Sequence, residues 1–289
     1  MQGLVSSARG VRKVTVPELR GRKQGGPAIT MVTAYDFTAA RLVDEAGVDA
    51  VLVGDSLGMV FQGLPNTLPV TLEEMCYHGR AVARALGRAH LVGDLPFMSF
   101  QVSPNQAVES AGRMLKDGGY ESVKIEGGQQ VAEHVHRMAN LGIPVMGHVG
   151  LTPQSVHQFG GFKVQGKTEE AADRILRDAI ALDQAGAYAI VLEGIPSHLA
   201  SAVTQAVSVP TIGIGAGREC DGQVLVLTDL LGLTRGPTPK FAKRFAELGD
   251  AVVGAVRQYV DETRTGVFPD AAHEYGGTGS ADNARVFLA

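Results

Sequence analysis

The sequence predicts an α/β protein built as a closed (β/α)8 TIM barrel, and three observations carry that prediction. Eight short runs rich in Val, Ile and Leu recur along the chain, most of them bounded by Gly or Pro. Amphipathic stretches with helix-start signals lie between them. Ionisable residues fall at the C-terminal ends of consecutive runs. Near-continuous apolar runs that alternate with helical segments are the mark of parallel strands buried on both faces and joined by crossovers.

In chain order the expected strands are "AITMVTAYD" (28–36), "AVLVGDS" (50–56), "HLVGDLPF" (90–97), "SVKIEGG" (122–128), "PVMGHVG" (144–150), "AIVLEG" (189–194), "PTIGIGAG" (210–217) and "QVLVLTD" (223–229). "TLEE" at Thr71–Glu74 is a capping box, with an N-cap threonine and a glutamate three residues on. "SPNQ" at Ser103–Gln106 adds Pro at the first helical position. A similar "TVPE", Thr15–Glu18, predicts a short helix before the first strand, placed to plug the barrel's bottom. One barrel domain over residues 1–275, with this helical extension, accounts for the pattern. From Gly276 to Ala289 the chain turns to Gly, Ser, Asp and Ala, which predicts a disordered tail.

At 289 residues, 45% apolar and 19% charged, the chain can bury one large core, and two domains are not required. The net charge of −4 argues against a nucleic-acid footprint, so an anionic substrate must be attracted locally, by a metal or by single Lys and Arg residues. Cys76 and Cys220 lie far apart and outside any paired metal spacing, which fits a reducing compartment. No apolar segment follows the basic N-terminus, and no run approaches the roughly 18–20 apolar residues needed to span a bilayer. The expectation is a soluble cytoplasmic protein.

In "SVKIEGG" a strand places Lys124 and Glu126 on one face and Val123 and Ile125 on the other. Strand two ends in Asp55, strand three in Asp94, strand five in His148 and strand six in Glu193. In a (β/α)8 barrel that edge is the mouth where catalytic groups converge. Each residue also has an ordinary structural use. Asp55 and Asp94 cap turns, Lys124 and Glu126 form an ion pair, His148 is a hydrogen-bonded core histidine, and Glu193 is a loop carboxylate. Five consecutive strands contributing to one rim favour the shared catalytic reading.

Asp55, Asp94 and Glu126 supply hard oxygen ligands without sulfur, which suits a magnesium-type ion better than zinc. Such an ion would chelate a 2-oxo acid and stabilise the enolate formed when a proton leaves the adjacent carbon. Lys124 would neutralise remaining negative charge. Glu193, across the barrel from the acidic strands, is the candidate base. His148 would orient or hydrogen-bond the substrate.

Two other motifs need weighing. "GFKVQGKT" at Gly161–Thr168 matches the phosphate-loop pattern, but the preceding "LTPQSVHQFG" is polar and loop-like, so the segment reads as a glycine-rich flap after strand five. "GIGAG" at Gly213–Gly217 lies where barrels often bind phosphate, yet lacks dinucleotide spacing. His134 and His136 are two apart on a helix and face different ways, which argues against a metal pair.

"TAYDFTAARLVDEAGVDAVLVGDSLGMV", "VGDLPFMSF", "VKIEGG", "PVMGHVGLTPQS", "VLEGIP" and "IGIGAG" closely resemble the ketopantoate hydroxymethyltransferase family, in order and spacing, from about Val11 to Tyr275. The resemblance implies a barrel of the phosphoenolpyruvate/pyruvate type. It also implies transfer of a one-carbon unit from 5,10-methylenetetrahydrofolate to 3-methyl-2-oxobutanoate (ketoisovalerate), giving 2-dehydropantoate (ketopantoate) on the way to pantothenate. By the same resemblance Asp55 and Asp94 hold magnesium, with Glu126 completing the shell directly or through water. Ser56 and Lys124 hold the oxo-acid carboxylate, Glu193 accepts the proton, and His148 lies in the "GHVGLTPQ" motif. Homo-oligomers, often decamers, are the family's usual assembly. Two alternatives remain: another magnesium-dependent oxo-acid lyase or mutase on the same barrel, and a phosphate- or nucleotide-binding protein.

Overall fold

The computed structural model describes residues 12–236 and 238–275, so the expected tail from Gly276 lies outside the described residues. Eight parallel strands close on themselves in sequence order, β1 (Ile29–Thr33), β2 (Ala50–Val53), β3 (His90–Asp94), β4 (Ser122–Glu126), β5 (Val145–Gly150), β6 (Ala189–Glu193), β7 (Thr211–Ile214) and β8 (Gly222–Leu225). Every neighbouring pair, including β1 with β8, is parallel.

Strand alternation sorts the side chains into two apolar clusters. Ile29, Met31, Ala50, Leu52, Val92, Met146, Ala189, Val191, Ile212 and Val224 fill the barrel interior. Val51, Val53, Leu91, Val123, Ile125, Val145, Ile190 and Leu192 face outward into the helix layer. Leu19, from the helix Val16–Gly21, is buried with the interior cluster, as is Val14 before it. Thr15 N–H donates to Glu18 Oε2 at 2.9 Å, closing the reciprocal cap that starts this helix. The helix Leu72–Ala83 starts in the same way, with Glu74 N–H donating to Thr71 Oγ1 at 3.2 Å and Thr71 N–H to Glu74 Oε2 at 2.7 Å.

The alternation of strand and helix breaks once. Between β7 and β8 the chain runs through residues 215–221 with no helix. Ile212 pairs with Gly222, so β8 begins almost level with the start of β7 and the connection has little height to recover. Gly215 (φ +63°) and Gly217 (φ +88°) make the turn, in the left-handed region that favours glycine. β8 is also shorter than the run "QVLVLTD" predicts, because Leu227–Leu230 turns into a helix. The helix Leu248–Thr265 leaves most of its length exposed, including Val252, Val256 and Tyr259.

Candidate active site

Period-two alternation along the strands brings the rim residues into the barrel mouth. Asp94 pairs in register with Lys124, and Glu126 with His148, so adjacent strands set each charged residue beside the next. Asp55, Asp94, Lys124, Glu126 and His148 are all buried, and Glu193 is partly so. With Ser56 they line one cavity of about 100 Å³, whose remaining wall includes Leu52, Val191, Ile214, Val224 and Val226. All seven rim residues expected from the sequence therefore meet around one small space.

The acidic side is tied together by main chain. Asp55 N–H donates to Asp94 Oδ2 at 3.1 Å. Gly54 permits that approach, since a Cβ there would lie 2.7 Å from Ser56 Oγ and 3.3 Å from Asp94 Oδ2. Lys124 Nζ stands 3.1 Å from Asp94 Oδ1 as an ion pair, yet out of line for a hydrogen bond, so Asp94 Oδ1 is buried without a hydrogen-bond partner. Burial pushes the Asp55 carboxyl well above the usual range, and the charges of Asp94 and Glu126 add to the effect. Asp94 is also raised, by burial first, with Lys124 opposing and Glu126 reinforcing. Burial alone would depress the Lys124 ammonium, but Asp94, Glu126 and Asp55 together hold it above its ordinary value.

Glu126 behaves differently. Burial would raise it, but His148, Lys124 and the main-chain N–H of Gln154 together hold it below the ordinary carboxylate range. That N–H donates to Glu126 Oε2 at 3.0 Å. The three-carboxylate ligand set expected from sequence therefore divides: Asp55 and Asp94 are linked, whereas Glu126 turns to Gln154 and His148. Among the described residues, no group of three or more His, Cys, Asp or Glu side chains is disposed as a ready-made cation site. What Asp55 and Asp94 do supply is a pair of buried hard oxygens whose charge lacks full compensation, and that donor chemistry fits a small divalent cation.

His148 is the centre of the opposite side. Lys124 Nζ lies 2.9 Å from its Nδ1, Glu126 Oε1 3.5 Å from Nδ1, and Glu193 Oε2 3.2 Å from Nε2. An ammonium can only donate, so the shorter contact selects the neutral ring with its proton on Nε2, facing Glu193. The contact to Glu126 belongs to the doubly protonated ring. Burial and Lys124 favour the neutral form, and the two flanking glutamates outweigh them to raise the pKa above the ordinary histidine value.

Three groups escaped the reading of the sequence. Tyr35, from the loop after β1, shares a hydrogen bond of 2.8 Å between its OH and Ser56 Oγ; burial pushes its pKa up to about 12, which keeps the hydroxyl neutral. Thr33 at the end of β1 lines the cavity. Gln154, in the turn after β5, touches Asp55, Leu95 and Glu126. Only the position of Thr33, at a strand end on the mouth face, was a usable signal.

The phosphate-loop pattern is not in phosphate-loop surroundings. Gly161–Thr168 follows the short helix Val156–Phe159 and its cap residue Gly160 rather than a strand, and Gln165 N–H is pinned to Gly194 O at 2.9 Å. Gln165 and Gly166 line a separate cavity of about 530 Å³ outside the mouth. In the segment 213–217, Gly213 lies within β7 while Gly215 and Gly217 make the β7–β8 turn, and Gly217 O accepts from Gln223 Nε2. His134 is buried and His136 is exposed, so the two do point apart.

The chain is similar to known proteins over most of its length. Residues 13–271 match the family model described as ketopantoate hydroxymethyltransferase. A 3-methyl-2-oxobutanoate hydroxymethyltransferase of Anaeromyxobacter sp. (strain Fw109-5) is 60% identical over 91% of this chain and 88% of its own. One from Pelobacter propionicus is 56% identical over 91% of this chain and 98% of its own. Among solved structures, phosphoenolpyruvate phosphomutase from Streptomyces platensis subsp. rosaceus superposes with a TM-score of 0.58 at 16% identity, covering 87% of this chain and 88% of that one; at that identity the likeness is one of fold.

Proposed function

The chain belongs to the ketopantoate hydroxymethyltransferase family, and from that premise we propose that it transfers a hydroxymethyl group from 5,10-methylenetetrahydrofolate to 3-methyl-2-oxobutanoate, giving 2-dehydropantoate for pantothenate synthesis. The observation that carries the reading is the mouth cavity itself. Its volume is about 100 Å³, below the roughly 300–1,000 Å³ of sites for drug-sized ligands, which suits a short acid. Leu52, Val191, Ile214 and Val224 offer an apolar wall to a branched alkyl group, and charged residues line the remainder.

Asp55 and Asp94 would hold a magnesium ion, with Glu126 completing its shell directly or through water, and the ion when bound would act as a Lewis acid toward the keto oxygen and carboxylate of the substrate. Lys124 and Ser56 hold that carboxylate, with the Ser56 hydroxyl oriented by Tyr35. Glu193 takes the proton from the branched carbon C3. His148 stands beside that carboxylate, its Nε2 3.2 Å from Glu193 Oε2 but without a hydrogen bond to it, on the wall of the cavity. Water releases the folate's methylene as a formaldehyde-level carbon, both C–N bonds breaking and tetrahydrofolate leaving. The electron pair on C3 forms the new bond to that carbon, whose oxygen, from the water, takes the proton back from Glu193 to become the hydroxyl.

The exposed apolar face of Leu248–Thr265 supports assembly into a homo-oligomer, by resemblance a decamer, which light scattering on the purified protein tests. Two free, buried thiols, Cys76 and Cys220, support a cytoplasmic setting, and no described helix is long and apolar enough to cross a membrane. Turnover of 3-methyl-2-oxobutanoate with 5,10-methylenetetrahydrofolate, with and without magnesium, tests the function. Product that requires both the folate and the ion is expected. Absence of product, or folate-independent bond cleavage of another oxo acid, would assign the barrel to a lyase or mutase instead.

A further inference from the structure

We infer that Gln154 is a positioning residue for the reaction, holding Asp55 and Glu126 in the orientations that present the cation-binding oxygens. The inference rests on the reading of Asp55 and Asp94 as holders of a divalent ion. Gln154 is buried, and the turn Pro153–Ser155 that carries it is set by Ser155 N–H donating to Thr152 O at 2.9 Å. Its Nε2 donates to Asp55 Oδ2 and to Leu95 O, both at 2.9 Å. Its Oε1 accepts from Gln101 Nε2 at 3.0 Å. The main-chain N–H takes Glu126 Oε2.

Every polar group of the side chain is thereby used, and the pattern fixes which way the amide points. Reversed, the carboxamide would set an acceptor against Asp55 and a donor against the Gln101 amide nitrogen, losing three bonds at once. One residue from after β5 therefore ties the ends of β2, β3 and β4. It occupies Asp55 Oδ2, and among the described residues no hydrogen bond is made to Asp55 Oδ1, which is left for the ion. Gln101, from the loop after β3, acts one step further out by locking the Gln154 amide.

A simple clasp between loops would serve stability alone, so the test reads cation affinity. Free Mn2+ is followed by electron paramagnetic resonance while the ion is titrated into full-length wild type, Gln154→Met and Gln101→Leu, with circular dichroism confirming the fold. Methionine matches the length of glutamine and removes both donors. The expected result is Mn2+ binding weakened about tenfold or more in Gln154→Met and about threefold in Gln101→Leu, with the Michaelis constant for 3-methyl-2-oxobutanoate rising in parallel. Folded Gln154→Met that binds Mn2+ within twofold of wild type overturns the inference. If that variant does not fold, wild-type affinity in Gln101→Leu overturns it. A wild-type protein that leaves Mn2+ free refutes the cation reading, and the positioning role with it.

Discussion

Replacing Lys124 by Met keeps most of the stem that packs in the barrel mouth and deletes the ammonium. Nζ stands 3.1 Å from Asp94 Oδ1 and is buried with it. At that separation and an effective dielectric near 20 the attraction is about 5 kcal/mol, against which the cost of burying the ammonium is regained on removal. Breaking one side of a buried pair typically costs ~3–5 kcal/mol, because the other charge is left alone. The Asp94 carboxyl is already raised by burial, and losing Lys124 raises it further. A group with a raised folded pKa contributes stability that is present below its unfolded value, near 3.9, and is lost as pH rises through the folded one. The deficit of the variant should therefore be about 3–5 kcal/mol at pH 7.5 and smaller at pH 5.5, because Asp94 and Asp55 both hold protons more readily in the fold. Urea denaturation of metal-free wild type and variant at equal protein concentration measures both values. Equal stability at pH 7.5, or a deficit that grows on acidification, would refute the view that Lys124 is the counter-charge of these aspartates.

Further outcomes follow from the same geometry. Glu193→Gln should lose C3 proton abstraction by about a thousandfold or more while Mg2+ affinity by calorimetry stays within about twofold of wild type, and unchanged proton exchange would require another base. Ser56→Ala, removing a hydrogen bond to a charged group worth ~1.5–3 kcal/mol, should raise the Michaelis constant for the oxo acid by roughly ten- to a hundredfold; an unaltered constant would leave Ser56 outside the carboxylate site. At the barrel floor, His90 Nε2 meets Ser122 Oγ at 2.9 Å, and burial depresses the His90 pKa from 6.5 to about 4. A lowered folded pKa in a base means stability is lost as pH falls from about 6.5 to about 4, by up to about 3 kcal/mol. His90→Gln should flatten that slope in thermal melts, and a slope equal to wild type would contradict it.

The strands and their inward faces were legible because alternation and Gly/Pro boundaries are local properties, as at Val123–Glu126, where each residue's face follows from its neighbours. The rim residues were legible for the same reason, since Asp94, Lys124, Glu126, His148 and Glu193 lie at the centre or in the C-terminal halves of their strands. Asp55 instead lies two residues beyond the end of β2 at Val53, in the turn rather than the strand the sequence suggested. The helix missing between β7 and β8 was not, because it depends on how far β8 is staggered against β7. Gln154 was hidden because a glutamine in a polar turn has no chemical signature until Asp55 and Glu126 are beside it in space. The separation of Glu126 from the two aspartates likewise depends on partners that are distant in sequence, Gln154 and His148.

The central claim is that the buried pair Asp55 and Asp94 activates the oxo acid for proton loss to Glu193. Exchange of the C3 hydrogen of 3-methyl-2-oxobutanoate in deuterated water, followed by nuclear magnetic resonance without folate, tests it most directly. Wild type should exchange only when magnesium is supplied, and Asp94→Ala, still folded, should not exchange at all. Exchange by Asp94→Ala at the wild-type rate would contradict it.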